Sequence, residues 1–119
     1  MGLVRAGEAV ALISDAGTPG ISDPGARVVA AMHAAGLPVV PLPGACAAVT
    51  ALSAAGFLAE QFLFHGFLPS KSGQRRQVLA GLRGQRAALV FYEAPHRILE
   101  TVADLAAELG ERTLLVARE

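Results

Sequence analysis

Short apolar runs alternate with amphipathic stretches along this chain of 119 residues. The runs 9–14 and 87–92 are continuous and apolar, which is typical of strands buried on both faces of a parallel sheet. The runs 37–42, 61–68 and 113–117 are also predicted as strands, although the prolines in 37–42 argue against a regular central strand there. The pattern therefore predicts five strands.

Four helices are predicted between these strands, two of them in the first half of the chain. There, Asp23 as N-cap and Pro24 as the first helical residue begin a helix that Gly36 ends. A second helix, rich in alanine, covers residues 45–55 and ends before Gly56. Helices so rich in small residues pack close to their neighbours.

The other two helices lie in the second half of the chain. A basic helix is predicted over about 74–82, and Pro95 begins a helix that runs to about Leu109. One face of the latter is apolar, and the opposite face carries acids at a spacing of four. The apolar residues are Ile98, Leu99, Val102, Leu105, Ala106 and Leu109, and the acids are Glu100, Asp104 and Glu108.

This alternation of strands and helices predicts an α/β fold with largely parallel sheets. The amino-acid composition changes near residue 60, where phenylalanines become frequent. This change predicts a domain boundary between residues 1–59 and residues 60–119. The first strand begins close to the first residue and the last strand ends at the terminus. The pattern therefore predicts a segment of a longer protein.

Composition excludes several classes of protein. No apolar run reaches the roughly 18 residues that a membrane helix needs, and the first residues do not resemble a secretory signal. The single cysteine, Cys46, excludes an internal disulfide framework. Together these features predict a cytoplasmic protein without a membrane partner.

Charge is balanced over the whole chain but clustered locally. Five basic residues fall within the sixteen positions from Lys71 to Arg86. Such a cluster is able to meet phosphates, and the alternative is an ordinary solvated helix face. The charges alone favour the solvated helix face.

Candidate chemistry lies where strands end, because ligands of open α/β sheets bind outside the carboxyl ends of the strands. Three such ends are predicted, at 14–22, 43–46 and 92–97. Gly17 and Gly44 lie in the first two and allow a ligand to approach the backbone. Free N–H groups at the following helix starts favour a small anionic or zwitterionic ligand.

Other kinds of site have weak support. Neither glycine loop is a P-loop or a dinucleotide-binding fingerprint. His33, His65 and His96 are too far apart in sequence to form a metal motif, so no metal site is predicted. Cys46 is either a thiol activated by a helix start or a small packed residue.

Four motifs together resemble a known family. SDAGTPGISDPG, VVPLPGACAAVTALSAAG, FHGFLPSKSGQRR and LVFYEAPHR are similar, in order and spacing, to ribosomal RNA small-subunit methyltransferases of the tetrapyrrole methylase class. The resemblance implies the class III methyltransferase fold, in which two α/β domains bind S-adenosylmethionine in the cleft between them. Residues 1–59 then form the later part of the cofactor domain, and 60–119 form the first part of the second domain.

The resemblance also implies an activity and its partners. Such enzymes act as homodimers, and the implied substrate is 16S ribosomal RNA of the small ribosomal subunit, methylated at the 2′-hydroxyl of a cytidine ribose. The residues implied at the cofactor are Asp15, Ala16, Gly17, Thr18, Pro19, Ile21, Gly44, Cys46, Ala47 and Tyr92. Those expected at the RNA are Lys71, Arg75, Arg76, Arg83 and Arg97, with Arg86 beside them.

Methyl transfer to a hydroxyl requires loss of a proton, and Glu93 and His96 are the candidate catalytic residues for it. The alternative is that Glu93 forms a structural pair with Arg97 near a helix start. The family's first glycine-rich segment, which resembles GTPIGNLxD, is absent, so the chain by itself is expected to be inactive. Two other functions stay open: a tetrapyrrole methyltransferase, and a non-catalytic α/β ligand-binding domain.

Overall fold

A computed structural model describes residues 1–118. It contains helices and one parallel pair of strands, which confirms the predicted α/β class. Residue contacts divide the described chain into a first unit, residues 1–47, and a second unit that begins at Ala48. The elements are α1 (Gly2–Arg5), α2 (Ala26–Ala34), α3 (Ala47–Ala55), β1 (Phe62–Phe67), α4 (Ser72–Leu82), β2 (Ala88–Tyr92) and α5 (Ile98–Leu109).

Three of the five predicted strands are absent from the part of the chain that the structure describes. Residues 9–14, 37–42 and 113–117 form no ladder, and apolar side chains there, such as Ile13 and Leu42, are more than four-fifths exposed. A strand exists only where its backbone N–H and C=O groups pair with a neighbour. An apolar run carries no information on whether a partner strand is present.

The start of α2 also differs from the prediction. The helix begins at Ala26 with Gly25 as its N-cap, and no side chain caps it, so the prediction of Asp23 as cap is wrong. Gly25 has a φ of 142°, and a Cβ there would lie 2.9 Å from Cδ2 of Leu12. Only glycine fits this entry, and it determines where the helix begins. The predicted end at Gly36, with φ 67°, is confirmed.

The second unit is built on a strand–helix–strand arrangement, β1–α4–β2, with the two strands parallel. The ladder joins Phe62 to Ala88 at one end and Phe67 to Tyr92 at the other, and β1 has one extra residue, His65, within it. The side chains with under 4% exposure, Leu68, Arg75, Leu79 and Thr101, all lie in this unit. The core of the described chain is therefore small and centred under β1, α4 and α5.

Charged side chains join α4 to α5 around the buried guanidinium of Arg75, which is 1% exposed. The carboxylate of Asp104 on α5 accepts hydrogen bonds from Nε and Nη2 of Arg75, both at 2.7 Å. Nη1 donates to the carbonyls of Pro69 and Ser70 at 3.4 and 3.2 Å. Ser72 donates a further bond to Asp104, so each charge of this pair is met by hydrogen bonds as well as by its opposite charge.

The acidic stripe of α5 therefore contacts α4, although the sequence suggested that it lay on the face opposite the core. Glu108 accepts from Nε of Arg76 at 2.6 Å, one turn beyond Asp104. The apolar face of α5 instead borders, with β2, a groove of about 550 Å³. Leu99 on that face is 83% exposed. Charge pairs therefore join the acidic side of α5 to α4.

We expect Asp104→Ala to lower the free energy of unfolding by about 3 kcal/mol, because it leaves the buried Arg75 guanidinium without its counter-charge. Glu100→Gln in the same helix is the matched control. Its carboxylate is 74% exposed and 3.8 Å from Arg75, so its removal should cost less than about 1 kcal/mol. Urea unfolding followed by circular dichroism measures both, and equal losses would contradict the assignment.

Candidate functional site

In the first unit the loop 14–22 and the turn 43–46 touch each other. Thr18 Oγ1 donates a hydrogen bond to the carbonyl of Ala45 at 3.0 Å, across 27 residues of sequence. Ser14 Oγ closes the loop on itself by donating to the carbonyl of Gly17 at 2.7 Å. The two loops singled out from the sequence are thus joined by a specific polar contact.

Glycine is required at the point where the two loops meet. Gly17 has a φ of 77°, and a Cβ there would lie 3.3 Å from the carbonyl oxygen of Ala45. A Cβ on Gly44 would lie 3.4 Å from Oγ1 of Thr18. The left-handed conformation and the close approach both disfavour a side chain at Gly17, so this part of the site presents backbone rather than side chains.

The remaining residues implied at the cofactor differ in their exposure. Asp15, Ala16, Gly44 and Ala47 are exposed, as is Ile21 at 43%. Thr18, Pro19 and Cys46 are half-buried. A surface of small residues, backbone groups and one carboxylate suits a compact zwitterionic ligand better than a large apolar one.

Tyr92 lies at the end of β2 in the second unit. Its ring makes edge-to-face contacts with Phe64 and Phe67 of β1, with centroid distances of 5.0 and 5.7 Å. Its hydroxyl accepts a hydrogen bond from the backbone N–H of Ala48 at 3.3 Å. The strand end is thereby linked to the first turn of α3.

Glu93 follows Tyr92 and is held by three donors. Oε1 accepts from the N–H of Ala94 and from Nε of Arg97, both at 2.7 Å, and Oε2 accepts from the hydroxyl of Thr101 at 2.6 Å. Burial raises the pKa of Glu93, but the bonds from Thr101, Ala94 and Arg97 together outweigh it and hold the pKa below its usual value. This geometry matches the structural alternative for Glu93.

His96 lies on a 3₁₀ turn, Pro95–Arg97, that follows Glu93 in the chain, and its side chain is exposed. Arg97 is directed the other way: it is 20% exposed and also donates to the carbonyl of Leu68 at 3.2 Å. The structure thus brings Glu93 and Arg97 together and leaves His96 at the surface beside them.

The basic cluster is largely occupied by internal contacts. Arg75 is buried against Asp104, Arg76 pairs with Glu108, and Nε of Arg83 donates to the backbone carbonyl of Glu108 at 2.6 Å. Lys71 and Arg86 are exposed. The cation count in the sequence therefore overstates the charge that this surface offers to a phosphate.

The family model for tetrapyrrole (corrin/porphyrin) methylases matches residues 2–119. The chain belongs to the tetrapyrrole methylase family. It is 55% identical over 118 residues to a protein of Micromonospora olivasterospora, 52% identical over 117 residues to one of Pseudomonas aeruginosa, and 50% identical over 117 residues to one of Escherichia coli O157:H7. Each of these three relatives is called ribosomal RNA small subunit methyltransferase I.

The alignments cover 98–99% of this chain and 38–42% of each of those relatives. The chain spans about two-fifths of the length of the curated relatives it matches. The family resemblance seen in the four motifs is confirmed. The roles of individual site residues in this chain stay predictions.

Sequence reasoning missed several residues that shape the candidate site. Thr101 and Ser72 bind the two acids Glu93 and Asp104, and the N–H of Ala48 binds Tyr92. One signal was available: the four-residue spacing of the acids on α5 complements Arg75 and Arg76 on α4.

Within residues 1–118 no group of three or more His, Cys, Asp or Glu side chains is arranged to hold a metal ion.

We expect Glu93→Gln to lower the free energy of unfolding by about 2 kcal/mol at pH 7, because the amide offers N–H groups where Arg97 and Thr101 already donate. The pKa of Glu93 is lowered by folding, so its stabilising effect is present above the ordinary value of 4.5 and is lost as the pH falls through the lower folded value.

Urea unfolding at pH 7 and at pH 3 measures this effect, and the difference between wild type and variant should shrink at pH 3. Glu60→Gln, which changes an exposed acid of the same unit, is the control and should change stability by less than about 0.5 kcal/mol. A Glu93→Gln variant as stable as wild type at pH 7 would exclude the structural role.

Proposed function

We propose that this chain forms part of an S-adenosylmethionine-dependent methyltransferase that methylates the 2′-hydroxyl of a cytidine ribose in 16S ribosomal RNA. Membership of the methylase family supports methyl transfer, and the names of the relatives support ribosomal RNA as the substrate. The observation that carries the proposal is the contact between the two glycine loops through Thr18 and Ala45. None of the helices within residues 1–118 is long and apolar enough to cross a bilayer.

The residues of the two loops fit the proposed cofactor. S-adenosylmethionine presents an amino group, a carboxylate and a sulfonium, and supplies an electrophilic methyl group when it is bound. The loop from Asp15 to Ile21 and the turn from Gly44 to Ala47 would hold it, with backbone groups at Gly17 and Gly44 able to approach closely. We infer that this surface orients the cofactor and excludes water from one side of it.

The proposed proton acceptor is His96 rather than Glu93. A general base needs a free lone pair within reach of the hydroxyl proton, and Glu93 already accepts from three donors and has a lowered pKa. His96 is exposed on the adjacent turn. Glu93 and Arg97 then have the role of holding this turn in place.

The RNA contact is proposed for Lys71 and Arg86, which are exposed, and for Arg76, whose side chain is 53% exposed beside Glu108. Arg75 is omitted because its guanidinium is buried, and Arg83 and Arg97 are held by carbonyl and carboxylate oxygens. The family resemblance further supports a homodimer and a cytoplasmic location, beside the ribosomal subunit that carries the RNA.

The full-length protein from the same gene should transfer a tritiated methyl group from S-adenosylmethionine to 16S ribosomal RNA and not to a precorrin. Thr18→Val removes the bond to Ala45 and should raise the Kd for S-adenosylmethionine about three- to tenfold, the value of one hydrogen bond. Thr18→Ser keeps the hydroxyl and is the matched control. Calorimetry measures the Kd of each variant. Transfer of the tritiated methyl group to the precorrin would contradict the proposal, as would an equal Kd for Thr18→Val and wild type.

Lys71→Gln combined with Arg86→Gln should weaken RNA binding by the full-length protein and reduce the slope of log K against log salt by about 1.5 to 2, the value for two lost phosphate contacts. Arg5→Gln, which removes an exposed cation from α1, is the control and should keep the slope. Filter binding at several salt concentrations measures it. An unchanged slope in the double variant would show that RNA binds elsewhere.

A further inference from the structure

The first turn of α3 depends on a hydrogen bond from outside the helix. Ala48 is the second residue of α3, and the first four N–H groups of a helix have no partner within it. The N–H of Ala48 donates to the hydroxyl of Tyr92 at 3.3 Å. Ala48 is 4% exposed, so water does not readily replace that acceptor, and an unpaired N–H at this place is costly.

The position of the Tyr92 hydroxyl is itself determined by packing. Tyr92 pairs with Phe67 in the ladder between β1 and β2. Its ring is held edge-to-face by Phe64 and Phe67, at interplanar angles of 70° and 64°. Because two phenylalanine rings of β1 pack against the Tyr92 ring, the hydroxyl presents its oxygen to the N–H of Ala48 from a packed strand end.

We propose that Tyr92 is a positioning residue for cofactor binding: its hydroxyl holds the first turn of α3 and, through it, the turn 44–47 that leads into the helix. The inference rests on the proposed function, because it takes those residues as cofactor ligands. This role differs from direct contact between Tyr92 and the cofactor, since Tyr92 acts through the N–H of Ala48. Loss of the hydroxyl frees that N–H and allows the helix start to shift.

Two measurements on the full-length protein test this inference, with Tyr92→Phe as the variant because it keeps the ring that packs against Phe64 and Phe67. In the absence of cofactor, hydrogen exchange of the Ala48 amide, followed by NMR, should become at least about fivefold faster, as expected for the loss of one hydrogen bond. With cofactor, the Kd for S-adenosylmethionine and for S-adenosylhomocysteine should rise by similar factors of about three to ten.

Ser53→Ala is the matched control, because it removes a hydroxyl from the same helix that donates to the nearby carbonyl of Thr50. It should change neither the exchange of Ala48 nor the two Kd values. Unchanged exchange in Tyr92→Phe would overturn the inference, as would faster exchange with unchanged Kd. A wild-type protein that binds neither compound would overturn the proposed function, whereas unchanged Kd in Tyr92→Phe alone leaves that function intact.

Discussion

The second unit depends on one buried charge, the guanidinium of Arg75. Five hydrogen-bond donors leave a guanidinium few ways to be satisfied away from water, and here Asp104 and the carbonyls of Pro69 and Ser70 supply the acceptors. These contacts fix α5 against α4 and fix the segment after β1 at the same time. Because Glu93 lies in the turn before α5 and bonds to Thr101 on that helix, the order of the candidate site follows from the same arrangement.

Local signals predicted the helices well. Gly36, Gly56 and Gly110 end α2, α3 and α5 with positive φ, as their positions in the sequence suggest. The two strands that form, β1 and β2, were predicted to within one or two residues. The other three predicted strands are not found within residues 1–118, because an apolar run indicates a preference for burial, while a ladder also requires a partner. The acids of α5 were predicted to lie opposite the core, but two of them contact arginines of α4. Sequence periodicity does not show which face of a helix a buried arginine contacts.

The candidate site was predicted in part for similar reasons. Glycine and proline marked both loops, since their backbone requirements are local. The bond from Thr18 to Ala45 spans 27 residues and leaves no trace in local sequence. Net charge suggested a cationic surface, but the buried Arg75 and the paired Arg76 show that a cation's neighbours decide what it contacts. The two glycine loops present a backbone-rich surface, and several charges of the basic cluster are paired within the fold.

The central claim is that the two joined glycine loops bind S-adenosylmethionine. Hydrogen exchange of the full-length protein, measured by mass spectrometry with and without S-adenosylmethionine, tests it most directly. We expect protection to increase in the peptides that contain residues 15–21 and 44–48, and to stay constant in α4, whose bonds are already internal. Protection confined to α4 and α5, or no change in either glycine loop at saturating ligand, would contradict the claim.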